Sequence, residues 1–324
     1  MVVRCVLGVL LTLLGLPGVA YAQTASPSTP PGDTVRVPAL PVSARPLSKQ
    51  SMVQCVDSSL QVRLRRQVSR AGWGALAEQD ELAVGVVDLS DPDRPRYAAL
   101  NGQEMMYAAS LPKIGILYAA VRQMERGRLS SSPDVQDDLQ SMIRVSSNAA
   151  ATRMIDRVGG LQSVNRALRS TDAAFYDREH GGGLWVGKRF SADDRRQPDP
   201  IEGLSHAATV HQVARFYTLL ATGRLINRAR SVQMLDALSD PALDHKFVGV
   251  LQRRAPAADI YRKSGTWRTW HADSALVWGP HRRYVLVALV KAPHGDQVVR
   301  GLLPAAEAAL GLSGPSSADR TTRK

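Results

Sequence analysis

The sequence predicts a mixed α/β fold of the α+β kind: an antiparallel sheet of about five strands flanked by helices, with an inserted all-helical subdomain over about residues 111–222. Three observations predict it. A short apolar, β-branched run lies at residues 81–89, and strand candidates return toward the other end of the chain at 260–264, 274–278 and 283–290. Between them, several segments repeat apolar residues at helical spacing. A stretch at 177–209, rich in Gly, Pro and charge, interrupts that helical block. Strands from both ends must meet in one sheet, so a site is expected between the sheet and the helical insertion.

The first residues read as a signal peptide. Arg4 supplies a positive start and residues 5–14 are an apolar run. Gly15, Leu16, Pro17 and Gly18 break the run, and Ala20-Tyr21-Ala22 fits a cleavage signal. The pattern predicts a signal over residues 1–22, cleavage before Gln23 and export, with a periplasm as the expected destination. The apolar run is short for a membrane anchor. Residues 23–53 are rich in Pro, Ser and Thr, as expected of a disordered tether. The folded domain is expected over residues 54–312, followed by a frayed tail at 313–324.

Leu60, Val62, Leu64, Val68 and Ala71 fall near helical spacing, so residues 56–71 form the first helix. Residues 81–89 (ELAVGVVDL) read as a buried strand. Asp91-Pro92-Asp93-Arg94-Pro95 then turns the chain into a second strand at 96–100. Helices are expected at 111–126, 135–143, 148–158, 161–168 and 210–221. Residues 177–209 are long for a patternless loop in a compact domain, which marks them as functional. The last two strands are joined through Gly279-Pro280-His281, and a helix at 298–310 closes the fold.

The 324 residues carry a formal charge of +12. Losing the signal removes only Arg4 and leaves about +11. The basic residues are scattered, without a long Lys/Arg block or interleaved aromatics. Together with export, this argues against nucleic acid as a partner. Association with anionic envelope polymers or attraction to an anionic substrate fits the charge, beside plain solubility. Cys5 leaves with the signal, so Cys55 stands alone, no internal disulfide is expected, and Cys55 reads as a small apolar residue. His206 and His211 are five apart with no Cys or H-x-x-x-H cluster beside them, so no metal or other cofactor is expected. The chain is expected to be a monomer.

Three short motifs carry chemistry. In Ser110-Leu111-Pro112-Lys113, the serine precedes an apolar helix that tolerates proline in its first turn. Its own N–H and the helix dipole point at developing negative charge. Lys113 falls on the same helix face and, once desolvated, can lose its proton and act as a base. Ser146-Ser147-Asn148 opens another helix, where Ser146 can relay a proton and Asn148 can offer an amide to substrate. Lys263-Ser264-Gly265-Thr266 ends a strand, where glycine lets a substrate backbone approach closely. Lys263 can neutralise a carboxylate, and its charge raises the cost of charging Lys113. Each motif alone has a plainer reading: an N-cap serine before a surface lysine, an N-cap cluster, and a lysine before an ordinary turn.

Taken together and in this order, S-x-x-K, S-x-N and K-S/T-G resemble the class A serine β-lactamases and the related penicillin-binding proteins. The context agrees. Ala109-Ser110 follows a strand hairpin, Asn148-Ala149-Ala150 leads into a helix ending at Gly159-Gly160, and Asp273 begins the strand after K-S-G. The resemblance covers roughly residues 56–311. It implies that Ser110 is the nucleophile acylated by a β-lactam or a D-alanyl peptide. Lys113 would be base or proton shuttle, Ser146 would pass a proton toward the leaving nitrogen, and Asn148 would hold the substrate's side-chain amide. Lys263 and Ser264 would receive the carboxylate, and the N–H groups of Ser110 and Thr266 would form the oxyanion hole, with Gly265 between them on the strand.

The sequence also departs from that family. Its deacylating glutamate lies in a loop stretch like D-R-x-E-x-x-L-N. Here Asp177-Arg178-Glu179-His180-Gly181-Gly182-Gly183-Leu184 keeps the Asp-Arg pair, sets the glutamate one residue early and lacks the Leu-Asn. Glu179 is the candidate base, His180 an alternative, and a loop salt bridge the plainer role for Glu179. Only 36 residues separate Ser110 from Ser146, fewer than the family usually has, and Ser147 stands where an aspartate is usual. Trp267 and Trp270 are expected to pack the hairpin, with a substrate cleft as the alternative and Arg268 as a further carboxylate ligand. The leading expectation is an exported hydrolase that opens β-lactam rings. A D,D-peptidase or esterase acting on peptidoglycan peptides is the alternative that the altered loop favours. A catalytically silent binding protein is the third.

Overall fold

The computed structural model describes residues 40, 52–190, 195–312 and 314. The expected signal peptide, nearly all of the expected tether and nearly all of the tail lie outside the described residues. Within them the domain begins slightly earlier than expected, because a 3-10 turn at Met52–Cys55 buries Met52 against the core. Helix α1 (Ser58–Arg70) starts where the Asp57 carboxylate accepts the Leu60 N–H at 2.7 Å, and it turns Leu60, Leu64 and Val68 inward. A short α2 (Gly74–Glu78) leads into the hairpin β1 (Leu82–Asp88) and β2 (Arg96–Leu100), and β3 (Met106–Tyr107) follows.

The helical block comprises α3 (Lys113–Glu125), α4 (Pro133–Arg144), α5 (Asn148–Arg157) and α6 (Gly160–Leu168). Asp138 fastens α4 to α5, its two oxygens taking Arg153 at 2.5 Å and Arg157 at 2.6 Å. The chain then makes β4 (Tyr176–Asp177), β5 (Gly182–Gly183), β6 (Trp185–Val186) and β7 (His206–Ala208), followed by α7 (Val210–Ala221), α8 (Arg228–Leu238) and α9 (Phe247–Arg254). It ends with β8 (Asp259–Trp267), β9 (Trp270–Trp278), β10 (Arg283–Lys291) and α10 (Gly295–Leu310).

The main sheet has five antiparallel strands, as the sequence pattern predicts, and their order is β2-β1-β10-β9-β8. Its side chains alternate between two cores. Val84 and Val86 of β1 and Leu286, Ala288 and Val290 of β10 join Leu60, Phe247 and Leu302, from α1, α9 and α10. Ala83, Val87, Val285, Val287 and Leu289 join the helical block instead.

Three local readings need correction. Strand β8 continues to Trp267 and β9 begins at Trp270, so Lys263-Ser264-Gly265-Thr266 lies inside a strand rather than at its end. The pairing Trp267↔Trp270 closes a two-residue turn, with Arg268 at φ 51°. Helices α8 and α9 carry too weak a periodicity to read, one being polar-rich and the other only eight residues long. The stretch at 177–209 is no plain loop: β3, β7 and β6 form a three-stranded sheet and β4 pairs β5.

Candidate active site

Ser110 sits in the turn between β3 and α3. The Ala108 N–H donates to the His206 carbonyl at 2.8 Å and so extends the β3–β7 ladder. Ala109 then takes φ 50° and reverses the chain, and the Leu111 N–H returns to the Ala108 carbonyl at 3.0 Å. The helix begins at Lys113 with Pro112 as its N-cap, two residues later than expected, so Ser110 lies before the cap and Pro112 outside the first turn. Its N–H donates to no described group. Strand β8 lies directly against this turn: a Cβ on Gly265 would fall 2.2 Å from the Ala108 carbonyl oxygen and 2.7 Å from the Ser110 nitrogen. Only glycine permits that approach.

Behind Ser110 two lysines converge on one hydroxyl. Ser147 N-caps α5, its side chain accepting the Ala150 N–H at 3.2 Å, which leaves Ser146 at φ 59° between α4 and α5. The N-cap reading thus holds for Ser147, whereas Ser146 meets the lysines. The Lys113 Nζ donates to the Ser146 carbonyl at 2.6 Å and to Asn148 Oδ1 at 2.8 Å, and lies 3.3 Å from Ser146 Oγ. The Lys263 Nζ donates to Ser146 Oγ at 2.9 Å and to the Ser264 carbonyl at 2.8 Å. Both lysines are buried. Burial brings Lys113 down to about 7. Burial, and after it the positive charge of Lys113, holds Lys263 well below the ordinary lysine value. Two like charges beside one hydroxyl titrate as a pair, and the proton is easier to remove from it than from either lysine in water.

A third lysine went unnoticed in the sequence. Lys246, the residue before α9, is buried at φ 54°. Its Nζ donates to the Gly265 carbonyl at 2.7 Å, Thr266 Oγ1 at 2.8 Å and the Ala272 carbonyl at 3.0 Å. Asp273 fixes this corner by accepting the Phe247 N–H at 3.0 Å and pairing with Arg262 at 2.7 Å. Burial, offset in part by Asp273, brings Lys246 down to about 8. Nothing in the local sequence Asp244-His245-Lys246-Phe247 marks it, because its partners lie on strands some 20 residues away.

Ser110, Asn148 and Thr266 line one cavity of about 660 Å³. Tyr107, Trp267 and Trp270 also line it, so the tryptophans belong to the cleft as well as the hairpin, and Trp267 is 54% exposed. Arg268 does not line it but stacks on Trp267 at 5.3 Å. The 177–209 segment contributes Phe190 and His206, with Lys188, Arg189 and Arg196 as cations. It is pinned to α6 by Asn165, which bonds the Val186 carbonyl at 2.8 Å and the Val186 N–H at 3.1 Å. The Phe190 ring lies 4.5 Å from the Lys113 Nζ.

Glu179 does not join this site. It is exposed, on a 3-10 turn at Arg178–His180 with no buried residue, and it is not among the residues lining the cavity. Asp177 caps the turn through the Glu179 N–H at 3.0 Å and pairs with His180 Nδ1 at 2.8 Å, so His180 is committed there too. The glycines that follow explain the altered course. Gly183, at φ 148°, lies so close to the Phe175 carbonyl that a Cβ would fall 2.1 Å from it. No carboxylate lines the cavity among the described residues, and no three of their His, Cys, Asp or Glu side chains form a metal-holding group.

Comparison with known proteins agrees with the fold. No curated protein matches the chain. Among solved structures it resembles the β-lactamase of Sphaerobacter thermophilus, at 20% identity and a TM-score of 0.62 over 78% of this chain and 99% of that one. PBP-A matches at 19% identity and a TM-score of 0.58, over 79% and 97%. The class A β-lactamase of the last common ancestor of Gram-negative bacteria matches at 18% and 0.58, over 78% and 100%. At such identities these likenesses speak for the fold. The model of the β-lactamase enzyme family matches residues 63–136 and 130–310, and the chain belongs to that family.

Proposed function

We propose that the protein is an exported hydrolase that opens β-lactam rings through an acyl-enzyme on Ser110. The observation that carries this reading is the Lys113–Ser146–Lys263 group beside the Ser110 turn. A neutral Lys113 has two N–H groups, which match the Ser146 carbonyl and Asn148 Oδ1, and one lone pair left to take the Ser110 proton. Ser110 Oγ then bonds the ring carbonyl carbon while the carbonyl oxygen gathers charge beside the free Ser110 N–H and that of Thr266. Ser146, hydrogen-bonded by Lys263, passes a proton to the departing ring nitrogen. Lys263 and Ser264, with Lys246 behind Thr266, receive the substrate carboxylate.

PBP-A, in a variant form, is solved as an acyl-enzyme complex with penicillin G, which supports the same chemistry for this cavity. A second reading, a D,D-peptidase or esterase acting on peptidoglycan peptides, is favoured by the absence of a carboxylate among the described lining residues. Mass spectrometry of the mature protein mixed with a penicillin and followed over time tests both, with Ser110→Ala as control. An adduct on Ser110 that forms and clears, releasing ring-opened product, is the expected result. A stable adduct would favour the peptidase reading, and no adduct on folded protein would refute the β-lactam reading and direct the search to other acyl substrates.

A further inference from the structure

The surface position of Glu179 leaves the clearance of the acyl-enzyme without the carboxylate base that the resemblance implies, and the identity of the group that replaces it matters only if Ser110 is acylated as proposed above. Among the described residues lining the cavity, His206 carries the one imidazole. Its place is fixed from several sides. Its carbonyl takes the Ala108 N–H at 2.8 Å, two residues before Ser110, and it pairs with Val186 across β6. Its ring stacks on Phe190 with centroids 4.3 Å apart and planes 2° from parallel, while Phe190 in turn meets the Lys113 Nζ. The Tyr107 ring is 6.3 Å away.

His206 is only 5% exposed, and its Nδ1 is buried with no hydrogen-bond partner among the described residues. Buried polar atoms are nearly always satisfied, so an unpartnered ring nitrogen on a residue that lines the same cavity as Ser110 calls for a partner that arrives with the reaction. We propose that His206 is the base that deprotonates the water which clears the Ser110 acyl ester. The water oxygen bonds the acyl carbon as its proton passes to the imidazole. The tetrahedral adduct then breaks its bond to Ser110 Oγ, and that oxygen takes the proton from the imidazolium, leaving a free acid and a restored serine.

The ring is ready for this at neutral pH. Burial first, then the positive charges of Lys113, Lys188 and Arg196, push it down to about 4. It is therefore unprotonated and as basic as an ordinary carboxylate, the group the family's loop would otherwise bring. The oxyanion formed in the same step offsets the new imidazolium charge among those cations.

The test uses His206→Ala and His206→Asn in the full mature protein, with adduct formation and adduct clearance timed separately by mass spectrometry. The expected result is formation within about threefold of wild type and clearance at least ~100-fold slower, so that the adduct accumulates. Added imidazole should restore clearance in His206→Ala. Unchanged clearance in both variants overturns the proposal. Loss of formation and clearance alike in both makes His206 a packing element and overturns it too. A wild-type adduct that never clears leaves His206 nothing to catalyse and also refutes it. No adduct on wild type would instead refute the Ser110 reading itself.

Discussion

The lowered Lys113 value makes a quantitative demand on the acylation rate. If the neutral amine takes the Ser110 proton, the rate follows the fraction of Lys113 that is unprotonated. With a value of about 7, that fraction is ~1% at pH 5 and ~90% at pH 8, so acylation should rise about 90-fold across the interval. The cause is burial, so the same shift enters folding stability. From the ordinary 10.5 down to about 7, the difference amounts to roughly 5 kcal/mol. The unfolded chain binds the proton throughout that window and the folded chain does not. This contribution is therefore full above pH 10.5 and lost as the pH falls through about 7. Stopped-flow acylation by a chromogenic cephalosporin at low substrate, from pH 5 to 9, measures the rate. Lys113→Arg, which stays charged at all these values, should lose at least ~100-fold and show no rise. A flat wild-type profile between pH 5 and 8, or an active Lys113→Arg enzyme, would refute the assignment of Lys113 as base.

Gly265→Ala forces a Cβ to within 2.2 Å of the Ala108 carbonyl and 2.7 Å of the Ser110 nitrogen, so acylation should fall at least ~100-fold while circular dichroism still shows a folded chain. Unaltered acylation would mean that β8 is free to move from the turn. Lys246→Met removes the charge behind Gly265 and Thr266 and the donor that three acceptors share. KM for a carboxylate-bearing β-lactam should rise about tenfold with kcat changed less, at a stability cost of about 1–3 kcal/mol; a loss confined to kcat would contradict a binding role. His206 and His211 are both buried and held down to about 4, so the stability they support is present above pH 6.5 and lost as the pH falls through 4. The unfolding free energy from urea titrations should drop over that interval by about 3 kcal/mol for each histidine, and His211→Gln should flatten the slope.

The sheet was readable in the sequence because β1 and β10 are apolar on both faces and covered by helices, so they show as β-branched runs, while β2 is marked by the turn that precedes it. The motifs were readable for a different reason. Ser110 and Lys113 are close in sequence, and so are Ser146 and Asn148, so a local string marks each pair. What escaped were contacts made across the chain. Lys246 finds its partners on β8 and β9, and its local sequence carries no trace of them. His206 reads from sequence only as a metal ligand without companions, and its role depends on the Phe190 ring and the β3–β7 ladder. Glu179 failed in the opposite way. The Asp-Arg pair beside it suggests a loop that turns the glutamate inward, yet Asp177 uses its carboxylate to cap the turn, and the left-handed glycines send the chain elsewhere.

The three buried lysines constrain one another through whatever binds beside them. An anion that binds near Lys263 favours its charged form, and because Ser146 couples Lys263 to Lys113, the pair as a whole holds protons more tightly in the complex. Binding a carboxylate therefore works against the base that must act on it. The geometry limits that penalty, since Lys246 adds charge on the β8 side, away from the Lys113 contacts with Ser146 and Asn148. By linkage, the pH midpoint of acylation at saturating penicillin should lie above the midpoint at low substrate, which reports the free enzyme. An uncharged ester donor should show no such displacement, because it places no anion beside Lys263. Equal midpoints for penicillin in the two regimes would mean that its carboxylate lands elsewhere, and Lys263 would then be left with the single task of holding the Ser146 hydroxyl.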